Sequence, residues 1–74
     1  MNVITVSPVQ GGWVVDHALA SNPLMFLAGG KAERKARQLA ELASQRGLAA
    51  EVRIYDIAGR LAGRFQYGAD PALA

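Results

Sequence analysis

The sequence predicts an α+β domain of β-β-α-β-β layout: one antiparallel sheet with a single amphipathic helix, about residues 31–46, packed on one face. Three observations carry this. Two stretches rich in β-branched and alternating residues each contain a glycine-bearing turn, at Gly11-Gly12 and Ala58-Gly59, so each reads as a hairpin. Between them Ala32, Ala36, Leu39, Ala40 and Ala43 recur at helical spacing. The chain has 74 residues, of which 51% are hydrophobic, which is enough for one small core and not for two, so residues 1–74 are expected to form a single domain.

The elements follow in order. Val3 to Val9 is β-branched and runs into Gln10-Gly11-Gly12, so it reads as a strand entering a turn, with Pro8 near its end or at a sheet edge. In the return strand Trp13, Val15, His17 and Leu19 alternate with Val14, Asp16 and Ala18, and the heavier set is assigned to the core. Ser21-Asn22-Pro23 breaks the pattern. Leu24 to Ala28 is then an apolar run whose type periodicity does not fix, a short third strand being one reading. Lys31 to Arg46 is the helix, with Lys31, Glu33, Arg34, Arg37, Gln38, Glu41 and Gln45 on its polar side and Gly47 as its stop. Its inner stripe is mostly alanine, which lets the axis approach the sheet closely. Trp13, Phe26, Ile54 and Phe65 are expected to supply the bulk from the sheet side.

Glu51 to Asp56 and Arg60 to Tyr67 form the second hairpin, and its register decides what faces outward. A two-residue Ala58-Gly59 loop sets Val52 opposite Phe65 and Arg53 opposite Arg64, sorting an apolar face from a basic one. A type I turn from Asp56 to Gly59 with a three-residue loop would instead set Val52 beside Arg64. The first register is favoured because it sorts the side chains.

Composition excludes several function classes. Without cysteine there is no disulfide framework or thiolate metal site, and a single histidine leaves little for a metal cage, so neither metal nor cofactor is expected. The pI near 9.5 overstates the charge, which is only +2. All eight Lys and Arg lie at or after Lys31, which makes residues 31–64 locally +4. The start of the chain lacks a basic targeting region, and the uncharged run Ala18 to Gly30 falls short of the ~18 residues of a membrane span, so no membrane contact and a cytoplasmic location are expected.

The string Gly12-Trp13-Val14-Val15, then Phe26, Lys31, the Ala32/Ala36/Leu39-Ala40 stripe, Val52-Arg53-Ile54 and Tyr67-Gly68-Ala69-Asp70-Pro71 resembles the small bacterial family catalogued as domain of unknown function 2188. The resemblance spans nearly the whole chain and consists of structural positions. It implies a β-β-α-β-β domain and no assigned activity, cofactor or catalytic residue. Gly29-Gly30 stands where such proteins more often carry a Ser, Thr or Asp cap.

The candidate chemical motifs are few. Asp16-His17 could form an acid/base pair, but adjacent strand residues point to opposite faces, so a structural His17 is the simpler reading. Gly29-Gly30-Lys31 is an incomplete phosphate loop, with Met25 in place of the first glycine and Ala32 in place of the hydroxyl. The basic residues group as Lys31, Arg34 and Lys35 on the first helical turns, and as Arg53, Arg60 and Arg64 with Tyr55 on the outer hairpin face. Charge beside an aromatic residue suits nucleic acid, although ordinary solvated surfaces carry as much.

One helix covers one sheet face, leaving Val3, Val14, Tyr55 and Ile57 for the other. Two arginines opposed across a hairpin also repel unless an anion, such as Glu51 or Asp70 of a second copy, neutralises them. The expectation is a non-enzymatic homodimeric interaction module. The alternative is a nucleic-acid-binding module using Arg53, Tyr55, Arg60 and Arg64.

Overall fold

The computed structural model describes residues 2–17 and 22–68. Strands β1 (Asn2–Val9), β2 (Gly12–His17) and β3 (Leu24–Phe26) precede helix α1 (Gly29–Gln45), and β4 (Ala50–Tyr55) and β5 (Leu61–Tyr67) follow it. The strands form one sheet in the order β3-β2-β1-β4-β5, with α1 packed on one face. This is the α+β class that the sequence predicts. The sheet is nevertheless mixed rather than wholly antiparallel, because the central pair β1 and β4 runs parallel.

The third strand accounts for that difference. The apolar run after Pro23 becomes β3, antiparallel to β2 with Phe26 opposite Trp13. Each strand reverses the chain once, so β3 ends pointing the way β1 points. Helix α1 then runs back along the sheet, from Gly29 beside Trp13 to Ala43 and Arg46 beside Asn2 and Ile4. β4 therefore emerges in the direction of β1. A chain without β3 would bring it out antiparallel. Pro8 lies beyond the last β1–β4 pair, Val6 with Ile54, so its missing N–H interrupts no bond on that side.

Ala32, Ala36 and Ala40 are fully buried against Ile4, Val6, Val15, Ala50 and Val52, and Leu39 and Ala43 pack at the edge of that cluster. Trp13, Phe26 and Ile54 flank it as the sequence predicts, and Tyr67 joins them. Phe65 does not: it is 37% exposed, with the Arg37 guanidinium 4.2 Å from its ring centre. The closest part of the helix–sheet contact is filled by valines because alanines leave no gap deep enough for an aromatic ring.

Helix α1 starts two residues earlier than its charge pattern suggests and has no side-chain cap, with Ala28 as its N-cap residue. The Trp13 indole explains why. A Cβ on Gly29 would come within 2.8 Å of Trp13 Cε2, whereas a Cβ on Gly30 would meet nothing within 4 Å. The ring thus rests on bare backbone at the first helical turn. At the other end Leu48 N–H donates to the Ala43 carbonyl at 2.9 Å and Gly47 N–H to that of Ser44 at 3.0 Å, closing the helix as Gly47 predicts.

The second hairpin combines both registers. Its tip is the three-residue loop, with Gly59 N–H donating to the Asp56 carbonyl at 2.9 Å and Asp56 N–H to that of Arg60 at 2.8 Å. Gly59 takes the positive φ of 80° that ends such a turn. The Asp56 carboxylate accepts from Ala58 N–H and Arg60 N–H, both at 2.9 Å. Tyr55 then pairs with Leu61 but Ile54 with Gly63, so Ala62 is an extra residue, a β-bulge. Beyond it Arg53 faces Arg64 and Val52 faces Phe65, the favoured register.

Three substitutions test this packing by thermal unfolding. Ala36→Glu forces a carboxylate into the helix–sheet contact and costs several kcal/mol, comparable with the ~5–15 kcal/mol of a whole domain, so the folded baseline is lost. Gly30→Ala raises the midpoint through helix propensity worth about 0.5–1 kcal/mol, whereas Gly29→Ala lowers it because the methyl meets Trp13.

Candidate functional site

The surface available for function is the sheet face opposite α1. Along β4 the core side chains Ala50, Val52 and Ile54 alternate with Glu51, Arg53 and Tyr55, which lie on the helix-free face. The strand pairings add Val3, Thr5 and Ser7 from β1, Val14 and Asp16 from β2, Met25 from β3, and Leu61, Arg64 and Gln66 from β5. Val3, Thr5, Ser7, Val14 and Tyr55 are each half-buried; Asp16 is exposed, and Met25 is 62% exposed.

At the centre lies Glu51, only 2% exposed although no helix covers it. Arg53 Nε donates to one carboxylate oxygen, and Arg64 Nε stands 3.5 Å from the other. The two arginines are cross-strand partners. Glu51 thus holds apart charges that would otherwise repel, and it does so within its own chain, where the sequence suggested a second copy. Asp70, the other residue considered for that role, lies outside the described residues. The hydrogen bond to Glu51 and its negative charge raise the Arg53 pKa, so that guanidinium stays charged throughout the accessible pH range.

The predicted basic group of four is only partly assembled. Arg53, Tyr55 and Arg64 share the open face. Arg60 does not join them, because the three-residue loop makes it the partner of Asp56 at the hairpin tip, on the opposite side by alternation from the Tyr55–Leu61 pair. Its side chain is 81% exposed and its Nε lies 3.7 Å from Asp56 Oδ2. Ile57, expected on the open face, sits in the same loop and is 94% exposed. On the strand-borne face Arg53 and Arg64 are matched by Glu51 and Asp16, so the face carries no net charge.

The other motifs stay apart. Asp16 lies on the open face, while His17 lies on the helix side, beside an apolar cleft of about 250 Å³ with Ile4, Leu39, Leu42 and Arg46. That volume is below the ~300–1,000 Å³ of most small-molecule sites. Gly29 is occupied by Trp13, so Gly29-Gly30-Lys31 is a helix start and not a loop that wraps an anion. Arg37 pairs with Glu33 at 2.8 Å and covers Phe65, an arrangement for which only the Glu33/Arg37 spacing gave a signal. Among the described residues no three of His, Cys, Asp and Glu come together to hold a metal, and no helix is long and apolar enough to cross a membrane.

The ion cluster makes an asymmetric prediction. Arg53→Met keeps an aliphatic cover over Glu51 but removes its closest cation, leaving a buried carboxylate with only the more distant Arg64, and lowers the midpoint of a denaturant titration the more strongly of two changes. Glu51→Gln leaves two arginines that can turn outward to water, and costs only about 1 kcal/mol. Equal costs would mean that the carboxylate is not held by the arginines. No family model, curated protein or solved structure matches this chain.

Proposed function

We propose that the protein is a non-enzymatic interaction module that works as a homodimer through the helix-free face of its sheet. The observation that carries this reading is the charge balance of that face. A polyanion site needs an excess of cations to release counterions, and here Glu51 is committed to Arg53 and Arg64 while Asp16 cancels what is left. What remains is a surface of half-buried Val3, Val14 and Tyr55 and exposed Leu61 with charges of both signs, the composition of a protein contact.

The size of the face agrees. Five strands about 4.8 Å apart, averaging about six residues at about 3.3 Å each, give a plan area of roughly 480 Å² per copy, or close to 1,000 Å² in a pair. That is the lower bound for a specific interface and favours a reversible dimer. The non-enzymatic part rests on the divergence of Asp16 and His17 and on the small volume of the cleft. A cytoplasmic setting, and kinship with the bacterial family of domain of unknown function 2188, belong to the same reading and rest on the sequence positions alone.

Light scattering at two protein concentrations, with a gel-shift at low and moderate salt, tests the proposal. A mass that rises toward the dimer with concentration, with no salt-sensitive shift of nucleic acid, is expected. A monomer that shifts single-stranded or duplex nucleic acid, and loses the shift in R53A/R64A, replaces this reading with a nucleic-acid-binding module.

A further inference from the structure

We infer that the two copies pack sheet on sheet about a two-fold axis that runs along β1 between them, with Asp16 of each copy against Arg53 and Arg64 of the other. The inference deepens the homodimer reading and rests on it. It starts from the strand register. Asp16 is level with Thr5, Thr5 with Arg53, and Arg53 with Arg64, so one transverse row carries an anion on one side of β1 and two cations on the other. Two residues further along, Val14 is level with Ser7 and with Met25 on β3. Tyr55 follows the Val6–Ile54 pair, which puts it level with Ser7, and it pairs with Leu61. The second row is thus apolar on both sides of a small central residue.

A two-fold axis along β1 keeps each row at its level and exchanges its left and right. Asp16 then meets the arginines of the other copy, Val14 meets Tyr55, and Met25 meets Leu61. Both rows are self-complementary under that one operation, as an isologous contact requires. Charge supports the same partner. Within one chain Glu51 supplies a single carboxylate to two guanidiniums, and among the described residues Asp16 has no ion-pair partner. The second copy brings the missing carboxylate to each arginine pair. Along the axis itself Thr5 and Ser7 are small enough to let the sheets approach. A crossing of about 30° between aligned sheets leaves the contacts next to the axis within reach.

The chain has no cysteine, so a single introduced one reports position without background. In the full-length protein, Ser7→Cys and Thr5→Cys lie on the axis and should each cross-link to themselves with a short bis-maleimide. Asp16→Cys should not couple to itself but should couple to Arg53→Cys when the two proteins are mixed. Asp16→Lys should weaken the dimer about tenfold or more in light scattering, because the axis counts each lost pair twice.

A dimer in which neither axial cysteine cross-links, or in which Asp16→Cys couples to itself, overturns this arrangement and leaves the homodimer reading standing. A wild-type protein that is monomeric at every concentration overturns both. Self-coupling of Arg64→Cys without that of Ser7→Cys would replace the face-to-face arrangement with pairing of the β5 edges.

Discussion

The distance between α1 and the sheet governs most of what this small domain can be. Three alanines with no accessible surface, one per turn, bring the helix backbone down onto β1, β2 and β4. At that separation Ile4, Val6, Val15 and Val52 fill the space, and larger side chains move to the periphery. Trp13 finds room only by lying on Gly29, and Phe65 finds it beside Arg37 at the helix edge. A core of valine and alanine stabilises less per residue than one of leucine and phenylalanine, because less apolar area leaves water.

The helix-free face is organised by two features. The first is internal: Glu51 is buried under its own arginines, so the middle of the face is covered although no element crosses it. The second is the separation of sign across β1, with the anion on β2 and the cations on β4 and β5. The second depends on the direction of β4. With β1 and β4 parallel, the residue level with Arg53 is Thr5, which is also level with Asp16. Reversing β4 would break that row, so the short strand β3, through the direction it imposes on β4, also arranges the charges.

The helix, the two hairpins and the inward face of each were legible because their signals are local: a 3.6-residue period at Ala32, Ala36 and Ala40, a period of two around Val15 and Val52, and glycine at the turns. The parallel pair was not legible, since it depends on whether three residues, Leu24 to Phe26, form a strand, and a run that short has no period to read. The site divides along the same line. The Arg53–Arg64 opposition follows from hairpin register and was visible, and so was the need for an anion. That Glu51 meets it from two residues away was missed, because the alternation rule was used to separate faces and not to ask which residues share one. Arg60 was misplaced for a related reason: loop length and strand register were treated as one choice.

The bulge at Ala62 shows that they are two. The same number of residues between Tyr55 and Gly63 serves either a three-residue loop with one extra residue in β5 or a two-residue loop with none, and both leave Arg53 facing Arg64. The end of this hairpin is thereby insulated from its base. A change among Ile57, Ala58 and Gly59 that exchanges one turn type for the other is absorbed before it reaches Ile54, and the charged row one residue further on keeps its alignment. Sequence drift at the tip is therefore cheap in a place where a slip of one position in either strand would turn every side chain of that strand to the opposite side.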